Sequence, residues 1–260
     1  MTKIKNNYLR WLNSPIVSSK DKEILKSMSE EDKADAFFKN VEFGTAGMRG
    51  VLGPGTNRLN SFTVKKATVA FAIYLLEKYD DICEKGVVIS HDNRHMSREF
   101  TLITAKVFNE FGIKAYIFDG LRPTPELSFA IRELNCHAGI VVTASHNPKE
   151  YNGYKAYWND GGQLVSPHDK NVIGEVEKIT DISLVNFNKK ESLIEYLDEN
   201  FDEIYIDKIL NLTLSPELIK KHNDLVFAYT PIHGTGGQII PRLFKKAGFK
   251  NIHTVEEQMI

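Results

Sequence analysis

The stretch Gly139-Ile140-Val141-Val142-Thr143-Ala144-Ser145-His146-Asn147-Pro148 constrains the fold more than any other part of the chain. Ile140 to Thr143 are β-branched and read as a buried strand. Ala144 and Ser145 follow it, at the C-terminal edge where open α/β sheets bind ligands. Pro148 restricts Asn147 to extended or turn geometry and so stiffens the loop. A hydroxyl held there beside an imidazole, Ser145 beside His146, is placed to act as a nucleophile. An ordinary strand-to-loop junction with polar residues is the competing reading of the same local pattern.

The surrounding pattern supports α/β architecture. Residues 3–40 read as flanking helices with Trp11, Leu12, Ile24, Leu25, Phe37 and Phe38 as packing face. Residues 41–60 hold five glycines and read as turns whose backbone can approach a ligand closely. That stretch has neither the Gly-Lys-Ser/Thr of a Walker loop nor dinucleotide-fingerprint spacing. A helix is predicted over 63–79, then a strand over 86–90. Ser97 is a candidate cap for a helix ending near Gly112. A strand follows over 113–118, and Pro125 starts another helix. Strand, helix, strand, helix, strand is the pattern of an α/β unit. Residues 151–158 alternate like an edge strand, Asn159 to Gly162 carry a hairpin signal, and Ser166-Pro167 opens a helix. The expected sheet is therefore mixed but mostly parallel, flanked by helices. Residues 181–199 are polar and suit an interdomain connection. A helix over 201–212, strands over 224–229 and 252–255, and a turn and helix over 236–248 suggest the opening part of a second α/β domain. The boundaries read as 1–195 and 196–260.

The formal net charge of −1 gives no reason to expect a nucleic-acid or anionic-membrane partner. No apolar run approaches the length of a membrane span and the N-terminus is polar, which points to a cytoplasmic protein. Cys83 and Cys136 form no Cys-x-x-Cys pair and are expected as buried free thiols.

Thr143-Ala144-Ser145-His146-Asn147-Pro148 closely resembles the active-site serine loop of the α-D-phosphohexomutases, the phosphoglucomutase/phosphomannomutase family. Val41-Glu42-Phe43-Gly44-Thr45-Ala46-Gly47-Met48-Arg49-Gly50 resembles the N-terminal signature of that family. Gly53 to Arg58, Leu121-Arg122-Pro123-Thr124-Pro125-Glu126, Tyr151 to Lys155 and Thr230 to Gly236 are similar, in order, to its bacterial α-phosphoglucomutase and phosphopentomutase-like branch.

The resemblance implies that Ser145 carries a phosphoryl group, gives it to a phosphosugar and recovers the other phosphate of a bisphosphorylated intermediate. Glucose phosphates are the favoured substrates, with glucose 1,6-bisphosphate as activator. Arg49 is the implied phosphate-facing guanidinium, since its planar fork binds phosphate oxygens bidentately; a surface salt bridge is the alternative. His146 is a donor to the phosphoryl or a structural loop contact. Lys155 resembles a family lysine proposed as acid/base or phosphoryl contact, and a base role requires a lowered pKa. Asp92 and Arg94 match an Asp-x-Arg that supports the active loop, with Asn147 beside the nucleophile. His233 matches a loop at the start of domain 2, where a structural role is the safer reading. His91 has no assigned role.

The family also implies one Mg²⁺, held by the Ser145 phosphoryl oxygen and three aspartates. No Asp-x-Asp-x-Asp occurs in this sequence, nor the later Gly-Glu-x-Ser-Gly and Arg-x-Ser-Gly-Thr loops. The chain is thus expected to be an N-terminal part of a four-domain enzyme, partnered by the remaining domains 2–4 and inactive alone. Two alternatives stay open. One is a non-catalytic phosphosugar-binding or interaction protein on the same domain. The other, more remote, is a serine hydrolase, for which Gly-x-Ser-x-Gly is missing.

Overall fold

A computed structural model of the chain describes residues 2–44, 47–181 and 191–259. Three helices come first: α1 (Thr2–Asn13), α2 (Ser19–Ser27) and α3 (Glu30–Phe37). The Ser18 and Ser29 hydroxyls cap α2 and α3 by accepting from the Asp21 and Asp32 N–H groups, both at 3.0 Å. Trp11, Leu25 and Phe37 are buried against Phe62, as the expected packing face requires. Ile24 and Phe38 depart from it and are exposed. Ile24 sits one helical step, about 100°, from Leu25, and Phe38 lies past the last turn of α3.

The central sheet is assembled from β1 (Gly47–Val51), β2 (Val87–His91), β3 (Ala115–Phe118), β4 (Ala138–Val142), β5 (Tyr151–Trp158) and β6 (Ile194–Leu197). Their spatial order is β1-β5-β4-β2-β3-β6. β4, β2, β3 and β6 run parallel, and β5 and β1 are antiparallel to their neighbours. The mixed, mostly parallel sheet is as expected. The helices between these strands are α4 (Ser61–Lys78), α5 (Ile82–Lys85), α6 (Ser97–Glu110), α7 (Thr124–Glu133) and α8 (His168–Lys178).

Every residue of β2 and β4 is buried, so their side chains split by the two-residue pleat. Ile89 and Ile140 join Phe71, Phe100 and Phe108 on one face. Val88 and Val141 join Leu127, Ile131 and Phe201 on the other.

Two expectations are corrected here. β5 is not an edge strand, because β1 pairs along its outer side with Arg49 opposite Gly153. β1 lies in the glycine-rich stretch read as turns; glycines carry no alternating apolar signal. Ser97 is not a cap either. Met96, at φ +67°, precedes α6 without a side-chain cap bond, and the Ser97 side chain is used elsewhere.

Much of the polar stretch before the second lobe, residues 182–190, lies outside the described residues. β6 adds parallel to β3, with Ala115 opposite Ile194, so the first sheet continues past residue 195. After it come α9 (Glu199–Leu210), α10 (Pro216–Lys221), β7 (Val226–Tyr229), α11 (Ile239–Ala247) and β8 (Asn251–Thr254). β7 and β8 form a two-stranded parallel sheet. Phe201 of α9 packs on Phe118 and Phe129, which fastens this lobe to the first. Cys136 is buried, donates to the Lys85 carbonyl at 3.1 Å and has its thiol pushed up to about 12 by burial. Cys83, expected to be buried, is exposed. Among the described residues no helix is long and apolar enough to cross a membrane.

Candidate active site around Ser145

β4 ends at Val142, and the Thr143 N–H extends its pairing to the Gly153 carbonyl at 3.0 Å. Gly153 has no room for a side chain: a Cβ there would lie 2.4 Å from the Thr143 carbonyl oxygen. The chain then turns, and Ser145 is exposed with φ +58°. A non-glycine residue in that left-handed region persists only when its surroundings hold it.

Arg94 does much of the holding. Its Nη2 donates to the carbonyls of Ser145 at 2.7 Å and Asn147 at 2.6 Å. Its Nη1 donates to those of Pro148 at 2.8 Å and Tyr151 at 3.2 Å. Asp92 fixes the guanidinium through Nε at 3.2 Å. The same carboxylate accepts from the Arg94 N–H at 3.0 Å, Ser97 Oγ at 2.7 Å and Thr143 Oγ1 at 2.5 Å. Thr143 Oγ1 in turn accepts from the Ser145 N–H at 2.9 Å. The Asp-x-Arg pair therefore sits where loop support requires it.

Sequence reasoning missed Ser97, Thr143 and Asn152 as members of this frame. Asn152 donates to Ser97 Oγ at 2.8 Å and the His95 carbonyl at 2.9 Å, while accepting from the Gly153 N–H at 2.7 Å. Asn152 lies inside β5 as the strand reading of 151–158 has it, and only the tertiary network reveals its use. His91, left without a role, is buried with Nδ1 2.8 Å from the Asp92 carbonyl oxygen.

The remaining candidates surround the loop. Arg49 Nη1 donates to Asn147 Oδ1 at 2.7 Å, and among the described residues Arg49 has no carboxylate partner. That weighs against the surface-salt-bridge alternative. Lys155 is half-buried; burial lowers its ammonium pKa, the Arg49 charge lowers it further, and Asp92 opposes both. Arg49, Lys155, Gly47 and Gln163 line a hollow of about 250 Å³. Ser145, Arg94, His95, Lys149 and His233 line a second hollow of about 350 Å³. His233 thus arrives from the second lobe. His146 Nδ1 lies 3.4 Å from Ser145 Oγ, too far for a strong hydrogen bond. An exposed hydroxyl on a braced loop, in a hollow lined also by Arg94 and Lys149, suits phosphoryl chemistry.

Among the described residues no group of three or more His, Cys, Asp or Glu could hold a metal. Asp92 already accepts from four donors. The described side chains by themselves do not make a Mg²⁺ site.

The family profile described as phosphoglucomutase/phosphomannomutase, alpha/beta/alpha domain I, matches residues 40–183. The chain belongs to the phosphoglucomutase/phosphomannomutase family. It is 36% identical to a phosphoglucomutase of Staphylococcus haemolyticus over 98% of this chain and 45% of that protein. It is 32% identical to a human phosphopentomutase over 96% of this chain and 42% of that protein. Among solved structures, a Thermus thermophilus protein described as a phosphomannomutase superposes with a TM-score of 0.69 at 26% identity. That match covers 85% of this chain and 46% of the other. The chain therefore spans under half the length of these relatives.

Proposed function

We propose that Ser145 accepts and donates the phosphoryl group of a phosphosugar mutase, and that this chain is the phosphoserine part of it. The observation that carries the reading is the braced loop that presents Ser145 at φ +58° in a hollow lined also by Arg94, Lys149 and His233, while Thr143 of the same loop lines a second hollow with Arg49 and Lys155. In the proposed reaction a sugar hydroxyl oxygen attacks the phosphorus on Ser145, the bond to Oγ breaks, and Oγ leaves. Lys155, whose ammonium gives up its proton below the ordinary lysine range, is the group suited to take the hydroxyl proton. Arg49 and His146 would stabilise the transferring oxygens, and Asn147 holds Arg49 in place. Return transfer from a bisphosphorylated sugar restores phosphoserine, so glucose 1,6-bisphosphate is the proposed activator.

Glucose 1- and 6-phosphates are the proposed substrates, in a cytoplasmic enzyme completed by further domains that bind the distal phosphate and sugar. Mg²⁺ on the Ser145 phosphoryl oxygen would neutralise charge when bound. Its aspartate ligands are not offered by the described residues, and no step above depends on it. The domain limits 1–195 and 196–260 belong to the same proposal, with residue 198 a better-fitting joint because β6 runs to Leu197. The isolated chain should lack mutase turnover.

The test is to incubate the protein with labelled glucose 1,6-bisphosphate, digest it and map the label. Label on Ser145 supports the reading. Label elsewhere with Ser145 unmodified overturns it, and tight phosphosugar binding with no label favours the non-catalytic alternative.

A further inference from the structure

The serine site makes no use of the Leu121–Glu126 motif, whose two charged side chains are buried. Arg122, Glu126 and Asp202 are at most 1% exposed. Arg122 grips Asp202 at two points, Nε to Oδ1 at 2.6 Å and Nη2 to Oδ2 at 2.9 Å. Arg242 of α11 adds a third contact to Oδ2 at 2.6 Å. Arg122 also donates through Nη2 to Asp119 at 3.0 Å and through Nη1 to Gln238 Oε1. Gln238 immediately precedes α11 and closes the 230–238 loop. His233, on that loop, lines the hollow shared with Ser145. Gly120 permits the approach: a Cβ there would lie 3.1 Å from Gln238 Nε2.

Glu126 is the unexplained member. Neither of its carboxylate oxygens has a hydrogen-bond partner. An ionised carboxylate can only accept, so a buried one without donors is strongly disfavoured. A neutral carboxylic acid has an O–H to donate, and its neighbour Asp202 is an acceptor.

We propose that Arg122, Asp202 and a protonated Glu126 form a joint that positions the 230–238 loop, so that His233 stands across from Ser145. Arg122 is then a positioning residue. The catalytic consequence rests on the phosphoserine reading above; the joint itself does not.

The joint is pH-dependent. The groups facing Glu126 are Arg122 from the β3–α7 connection, Asp202 and Tyr205 of α9, and Arg242 of α11; Asp119 and Glu203 pair with the two arginines. Burial and the Asp202 charge raise the Glu126 pKa from 4.5 to about 8, against Arg122 and Arg242. Closing the joint therefore takes up a proton. Closure is fully favoured below pH 4.5, weakens as pH rises and levels off above about 8.

Hydrogen exchange of the 230–238 amides, corrected for intrinsic rates, measures this on the full chain. Between about pH 6 and about pH 8 the wild-type opening equilibrium should rise roughly fiftyfold, approaching tenfold per pH unit for one proton at the lower end and flattening near pH 8. In E126Q, where an uncharged amide can still donate to Asp202, that rise should vanish. R122K, which loses the two-point grip, should open the loop about tenfold or more at both pH values. A wild-type slope that persists in E126Q overturns the proposal. So does loop exchange that R122K leaves unchanged, and E126Q keeps the test decisive if R122K fails to fold. Labelling by glucose 1,6-bisphosphate runs in parallel. A protein never labelled at Ser145 defeats the functional reading, while the exchange slopes still decide the joint.

Discussion

Replacing Arg94 by Met removes a guanidinium that donates to four backbone carbonyls of the serine loop. It also leaves Asp92 without its charge partner. The two side chains are only 12% and 13% exposed, so water replaces little of what is lost. Breaking a largely buried ion pair from one side costs about 3–5 kcal/mol. The lower end applies, because Asp92 keeps the Arg94 N–H, Ser97 and Thr143 as donors. For a chain of this size about 3 kcal/mol corresponds to roughly 6–12 °C in melting temperature. Thermal unfolding supplies the first readout, and labelling of Ser145 by glucose 1,6-bisphosphate the second. The loop should also lose its single geometry, so labelling slows even well below the melting transition. A further Asp92→Asn change should add less than its separate cost, with a coupling of about 0.5–3 kcal/mol. A variant that melts within about 2 °C of wild type and labels at the normal rate would refute the bracing role.

Gly153→Ala places a Cβ 2.4 Å from the Thr143 oxygen. It should cost about 1–3 kcal/mol in denaturant unfolding and slow Ser145 labelling, as overpacking forces backbone shifts. In the complete enzyme, Arg49→Lys should lower kcat on the order of tenfold to a thousandfold, the range for losing a strong charge-assisted contact. Its melting temperature should hardly change, because Arg49 is exposed and has no described carboxylate partner. Lys155 has a lowered pKa, so the folded chain binds fewer protons there than the unfolded chain between that value and 10.5. Stability from this site should accordingly rise with pH across that window, and Lys155→Met should abolish the rise in unfolding experiments followed against pH.

Long segments with one dominant signal were legible in the sequence. The β-branched run of β4 and the helical spacing of α4 are locally consistent and needed no tertiary information. β1 was not legible, because a strand of Gly47, Met48, Arg49, Gly50 and Val51 has neither alternation nor β-branched density. β5 was then misread as an edge, since its true neighbour was invisible. β6 hid in a polar connection because it is four residues long, two of them, Glu195 and Tyr196, are exposed, and it owes its state to pairing with β3. The serine loop and its Asp-x-Arg support were recognised from their motifs. Ser97 and Asn152 were not: a Ser before a helix reads as a cap, and an Asn inside a strand carries no local sign of the network it joins.

The place of Arg49 on β1 has a colloidal consequence. β1 is the outermost strand on its side of the sheet, where open backbone groups invite a strand from another molecule. Gly44 engages Gly47 at one end of it, and the Leu59 N–H takes the Val51 carbonyl at the other. The middle is left to an exposed, permanently charged guanidinium. A stacking copy would have to bring its own Arg49 up against this one. The side chain proposed to meet a phosphate would thereby also guard against aggregation, and apolar substitutions at this position should reduce solubility as well as turnover.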